Sequence, residues 1–165
     1  MDALASIPLT INLANAGLVA GTTSTYTTTA TTVCSIGGKF ATSLTAQTNT
    51  ASPTTDATTG AAFVALAANQ CTVLVWGTNA AGAIKLAQGS IEATEVGVTT
   101  TVGAFIKAPQ FPSLPDDFCP IGYQLVRVSP TGAAFTAGTT SWAASGITCS
   151  TIKNVCTLPG RPQTA

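Results

Sequence analysis

The sequence predicts an all-β fold, an antiparallel β-sandwich or barrel-like domain, and three observations carry that reading. Segments 71–76 (CTVLVW) and 83–88 (AIKLAQ) are apolar and rich in β-branched residues, and the turn-forming run 77–82 (GTNAAG) between them makes a hairpin. A further strand of the same character, 123–128 (YQLVRV), follows later in the chain. Nowhere do apolar residues recur at helical spacing over a length that a stable helix needs.

Between the hairpin and the later strand lies 108–123 (APQFPSLPDDFCPIGY). Its four prolines (Pro109, Pro112, Pro115, Pro120) fix φ and remove backbone donors, so neither a helix nor a central strand is expected to pass through it. The same stretch carries Phe111, Leu114, Phe118, Ile121 and Tyr123, a large share of the big apolar side chains. A rigid, extended connector of this kind is expected to cross a sheet or to join two sheets, with these side chains packed beneath it.

Taken in order, residues 1–21 read as an extended N-terminal arm. Leu9, Ile11 and Leu13 share one side of an extended segment, with Thr10, Asn12 and Ala14 on the other. Such a strand must pair, either with its own sheet or with a neighbouring subunit. Residues 22–33 are nearly all threonine around Tyr26 and favour a strand, since a glycosylated stalk would carry proline. Gly37-Gly38 marks a turn into a second strand over 39–44. Residues 47–60 (QTNTASPTTDATTG) read as loop. Residues 61–68 (AAFVALAA) are ambiguous between helix and strand, and their short length favours strand. One or two strands are expected over 91–106 and short ones over 133–155. The domain therefore spans 22–156, and 157–165 is an extended C-terminal tail.

Composition narrows the function classes. The chain has 165 residues, enough for one domain with a real core, and only 7% of them are charged, against roughly 25% in ordinary soluble domains. Six basic and six acidic residues cancel, so the polar surface must come from threonine, serine, asparagine and glutamine. That surface suits a protein held in an assembly or standing in the extracellular medium. Lys39, Lys85, Lys107, Arg127, Lys153 and Arg161 are scattered singly, which argues against nucleic acid as a partner. The apolar run 7–20 is interrupted by Pro8, Thr10, Asn12 and Asn15 and falls short of the roughly 18–20 residues of a membrane span. Asp2 stands where a secretory signal would be basic, so synthesis in the cytoplasm is expected.

No catalytic constellation emerges. With no histidine in the chain, Ser and Cys lack their usual base and the mixed zinc sites are excluded. Asp116-Asp117 is the only adjacent carboxylate pair, and after Pro115 it reads as a turn, with Asp116 free to accept from nearby amides, rather than as a metal site. Glu92 and Glu95 read as a solvated edge. The five cysteines (Cys34, Cys71, Cys119, Cys149 and Cys156) match no redox or zinc spacing, and most read as small buried hydrophobes. A Cys149–Cys156 pairing stays open. Trp76, Tyr123 and Trp142 read as core aromatics, with a sugar-binding platform as the alternative. No cofactor, no metal and no enzymatic activity are expected.

The strings NQCTVLVWGTNAAGAIKLAQGS (69–90), FIKAPQFPSLPDDFCPIGYQLVRV (105–128) and TLPGRPQ (157–163) resemble small structural proteins of tailed bacteriophages. The resemblance covers the central and C-terminal parts and carries no motif of known chemistry. It implies a virion protein of the head decoration (cement) type, bound to the major capsid protein on the capsid surface as a homo-oligomer, dimer or trimer. The alternative is a secreted or tail-associated β-module that recognises a host-surface glycan or protein. On the residues themselves, the candidates for an interface are Leu9, Ile11 and Leu13 in the arm and Phe111, Leu114 and Phe118 in the connector.

Overall fold

The structure, a computed structural model, describes residues 9–164. Among these residues there is no helix, and the strands pair antiparallel throughout. The N-terminal third contributes β1 (Ile11–Asn12), β2 (Leu18–Ala20), β3 (Thr25–Thr28), β4 (Cys34–Ile36), β5 (Lys39–Phe40) and β6 (Gln47–Ala51). The rest contributes β7 (Gln70–Thr78), β8 (Ile84–Gln88), β9 (Glu92–Ala93), β10 (Cys119–Val128), β11 (Ile147–Cys149) and β12 (Lys153–Asn154). They form a central sheet of order β11-β10-β7-β8, with β12 also on β10 and β9 on β7, and two three-stranded sheets, β1-β4-β5 and β2-β3-β6.

The expected hairpin is β7–β8. Its loop closes because Asn79 Oδ1 accepts the Ala83 amide at 2.9 Å and Gly82 takes the left-handed φ of 77°. At the heart of the sheet β7 pairs with β10, and nearly every residue of both strands is buried. Side chains alternate between two cores. Leu74, Trp76, Val126 and Val128 join Leu18, Tyr26, Cys34, Phe63, Leu66, Phe135 and Trp142 on one face. Val73, Val75, Tyr123 and Leu125 join Phe118 on the other, where Phe111, Leu114 and Leu158 close over them. Trp76 anchors the first core, with ring centres 5.6 Å from Tyr26 and 6.0 Å from Trp142. The Trp142 indole donates to the Thr25 carbonyl at 2.8 Å, tying the 141–145 turn to β3.

The proline connector covers the second face, as its side chains require, but Pro120 departs from expectation. It lies inside central strand β10, opposite Gly77, where the register slips between Pro120 and Gly122. Proline is tolerated there because a bulge needs no ladder donor at that position. The slip also shifts the alternation, so Cys119 and Ile121 before it share the first core with Val126 and Val128 after it. Gly77 must be glycine, because a Cβ would stand 2.6 Å from the Cys119 carbonyl oxygen and 2.3 Å from the Phe118 ring.

Other expectations are corrected. Residues 47–51, read as loop, form β6 and pair with the threonine strand β3. Residues 61–68 form no strand; two isolated bridges, Thr55 to Ala62 and Leu66 to Phe135, carry Phe63 and Leu66 into the core. The expected strand 22–33 shortens to β3 and that at 39–44 to β5, although the Gly37-Gly38 turn holds, with φ of 57° and 79°.

The expected arm lies partly in residues 1–8, outside the described residues. Its described part is strand, paired with the chain's own β4 and β3. Asn12, Ala16 and Leu18 are buried, so deleting residues 2–20 would remove core and not merely an appendage. In the tail, Leu158 packs on the second core and the Gln163 amide donates to the Tyr123 hydroxyl at 3.3 Å.

Phe118 is 3% exposed, so Phe118→Ala should cost about 3–5 kcal/mol through lost burial and a residual cavity. Thermal melting of the purified variant checks this. An unchanged melting temperature would mean that the connector does not clamp the sheet.

Candidate interaction surface

The sheet β1-β4-β5 packs one face on the first core and turns the other to solvent. Its register sets Ile11 opposite Ser35 and Ser35 opposite Phe40. Directly opposed residues of antiparallel neighbours project to the same side, so these three form a row across the sheet. Leu9 and Leu13, two positions either side of Ile11, extend it along the strand. The exposures of Leu9, Leu13 and Phe40 are 54%, 50% and 80%, and Ile11 is half-buried. The outward side of the sheet therefore presents apolar side chains around Ser35, whereas Lys39, opposite Ile36, belongs to the other side.

The inward side explains the orientation. Asn12 is 1% exposed. Its Nδ2 donates to the Val155 carbonyl at 3.0 Å, its backbone amide donates to Cys156 O at 3.0 Å, and its Oδ1 accepts the Ala14 amide at 3.3 Å. A fully bonded amide costs little to bury, whereas an apolar side chain there would strand the Val155 carbonyl. The polar side of β1 thus goes in and the apolar side out, the reverse of a simple amphipathic strand. Next to Asn12, Cys34 is buried, and Ile36 and Ala41 pack against the core.

The three connector candidates sit elsewhere. Phe118 is buried, while Phe111 and Leu114 are half-buried over the second core. Phe111 meets Tyr123 edge to face, with centres 5.1 Å apart. They do not join the β1-β4-β5 surface. A second group of exposed apolar residues, Val96, Val98 and Ile106, sits on the loops between β9 and the connector.

The remaining sequence candidates serve the fold. Trp76, Tyr123 and Trp142 are at most 6% exposed and lie in two different cores, so they form no platform for a sugar. In the Asp116-Asp117 turn it is Asp117, not Asp116, that accepts an amide: Ala80 N donates to its Oδ1 at 2.6 Å. Glu92 sits on edge strand β9 and bonds Lys107 Nζ at 3.0 Å. That bond, followed by one from the Ser90 hydroxyl, holds its carboxyl below the usual range. Sequence reasoning passed over Asp56, whose Oδ1 accepts from Thr58 N and Gln88 N and whose Oδ2 accepts from the Thr59 hydroxyl. It pins the 56–60 turn to β8, and its position in a threonine-rich loop gave no sign of this. All five cysteines, Cys149 and Cys156 included, are free thiols. Among the described residues no group of three or more Asp, Glu or Cys side chains is placed to hold a metal ion, and no helix is long and apolar enough to cross a membrane.

Comparison with protein-family models, curated proteins and solved structures gives no match to this chain.

The two sides of β1 and its neighbours should respond oppositely to substitution. Asn12→Ala removes the donor to the Val155 carbonyl together with the buried amide's other bond and should cost about 1–3 kcal/mol. Phe40→Ser removes an exposed ring and should stay within about 0.5 kcal/mol. Urea denaturation of both variants makes the comparison. A larger loss for Phe40→Ser than for Asn12→Ala would reverse the assigned orientation.

Proposed function

We propose that this chain is a non-enzymatic structural protein of a tailed-phage virion that binds the outer surface of the capsid as a decoration (cement) protein. The observation that carries the reading is the apolar group of Ile11 and Phe40 on paired strands with Leu9 and Leu13 flanking β1, their backbones bonded to Gly38 and Val33. Large apolar side chains gathered on one exposed face suit contact with another surface. The near absence of charge supports it, because a neutral threonine-rich surface can pack among subunits with few ion pairs to desolvate. The central and C-terminal strings that resemble small phage structural proteins supply the setting. In this reading the partners are the major capsid protein and sister copies in a dimer or trimer.

A second reading, a tail-associated module that docks on a host-surface protein, draws on Val96, Val98 and Ile106, exposed on loops rather than on a sheet. The glycan form of that reading loses its aromatic residues to the core.

Co-sedimentation of the purified chain with capsids, together with quantification of the chain in virions, tests the proposal. Copies in the hundreds are expected, as closed symmetry on a shell implies. The double variant Leu9→Ser, Phe40→Ser should bind capsids roughly tenfold or more weakly, with an unchanged melting temperature. Only a few copies per particle, with binding lost on Val98→Ser instead, would favour the host-docking reading and sink the first.

A further inference from the structure

Two of the five thiols lie together where two sheets meet. Cys34 is on β4 of the outer sheet and Cys119 begins β10 of the central sheet; their exposures are 2% and 0%. Cys119 is paired across the ladder with Thr78, and the Thr78 hydroxyl donates to Cys34 Sγ at 3.3 Å. Both cysteines belong to the same buried cluster, and β4 and β10 lie against each other. Asn12 Oδ1 lies 3.8 Å from the Cys34 sulfur on its other side. Thr78 thus links the two cysteines, which share one buried cluster on strands far apart in sequence.

We propose that Cys34 and Cys119 are a dithiol that closes to an intramolecular disulfide, stapling the sheet β1-β4-β5 to the central sheet. The oxidant is a small-molecule disulfide. The thiolate of one cysteine attacks it, forming a mixed disulfide and releasing one small thiol. The second cysteine loses its proton and attacks the protein sulfur of that mixed disulfide, releasing the second small thiol. The protein pair is oxidised by two electrons, and one small disulfide is reduced to two thiols.

The local chemistry favours the first step at Cys34. The neighbouring Cys119 thiol draws the Cys34 thiol down to about 7, against the opposing effect of burial and with help from Thr78. The same contact, with burial, pushes Cys119 up, so one member of the pair is the readier thiolate. By contrast, burial pushes Cys149 up to about 12 and also raises Cys71. Access comes from the shortness of the covering strands: β1 has two residues, β4 three and β5 two. Elements held by so few ladder bonds open locally at lower cost than the central strands.

The arrangement of lysines and arginines makes the test direct, because trypsin places each of the five cysteines in a different peptide, with Cys34 in 1–39 and Cys119 in 108–127. The full-length protein is incubated with oxidised or reduced glutathione, digested without reduction and analysed by mass spectrometry. The expected result is a cross-link joining 1–39 to 108–127, a protein mass lower by two hydrogen atoms, and a higher melting temperature. The staple constrains the unfolded chain, so that rise should vanish in Cys34→Ala and in Cys119→Ala and persist in Cys156→Ser. Exclusive cross-linking of other cysteines, glutathione retained on Cys34 or Cys119 without closure, or no oxidation at all would overturn the proposal. The wild-type peptide map decides even if an alanine variant fails to fold.

Discussion

The structure depends on one pairing, β7 with β10, because both strands carry apolar side chains on both faces. A strand solvated on one side needs one cover; this pair needs two. Burying each large side chain contributes about 1.5–3 kcal/mol, but only where water is excluded from both sides of the sheet. The segments that look least regular in the sequence supply that exclusion. The proline connector and the Leu158 region close one face, and the threonine-rich N-terminal third closes the other. The prolines suit the connector because a covering segment has few ladder bonds to lose and gains from a restricted unfolded state.

How much of this was legible follows from where each signal resides. The strands near 71–76, 83–88 and 123–128 announce themselves through β-branched and apolar residues, and the Gly37-Gly38 turn through its backbone freedom. Strand β6 did not, because Gln47, Thr48, Asn49, Thr50 and Ala51 carry no apolar alternation. It forms because β3 offers a free edge, and because the Thr28 and Thr27 hydroxyls accept the Gln47 and Asn49 amides at 3.0 Å each. Pro120 misled because the rule against proline in a central strand yields at a bulge, and a bulge leaves no local trace. In the candidate surface, the alternation of Leu9, Ile11 and Leu13 was plain, but its sense was not. Asn12 points inward only because residues 155 and 156, at the far end of the chain, supply its partners. The part played by Phe40 depends likewise on long-range register.

The surface shows how a chain with so few charges organises electrostatics. Lys107–Glu92 joins an exposed ammonium to a half-buried carboxylate at a sheet edge, and a single pair of this kind adds little to stability. Much of the polar work falls to threonine hydroxyls and asparagine amides that satisfy backbone groups at strand ends. Contacts made by the β1-β4-β5 face would rest on apolar burial, which salt screening does not weaken. Kosmotropic salts strengthen such burial, so this contact and a charge-driven one differ in sign as salt rises.

The two ends of the described chain are locked to each other. Asn12 bonds residues 155 and 156, and Asn154 embraces Leu18 with its Oδ1 accepting the amide at 2.8 Å and its Nδ2 donating to the carbonyl at 3.0 Å. These partners lie 143 and 136 positions apart in the sequence. Leu18 and Asn12 must therefore wait, their polar groups held by water, until the 154–156 segment folds back onto them. Long-range closure of this kind slows folding, because the entropy of the intervening loop is lost before the contacts form. The apolar side chains beside Asn12 take their final orientation only once that closure is made. The orientation of the face that carries Ile11 and Phe40 is therefore set by long-range contacts and not by local sequence.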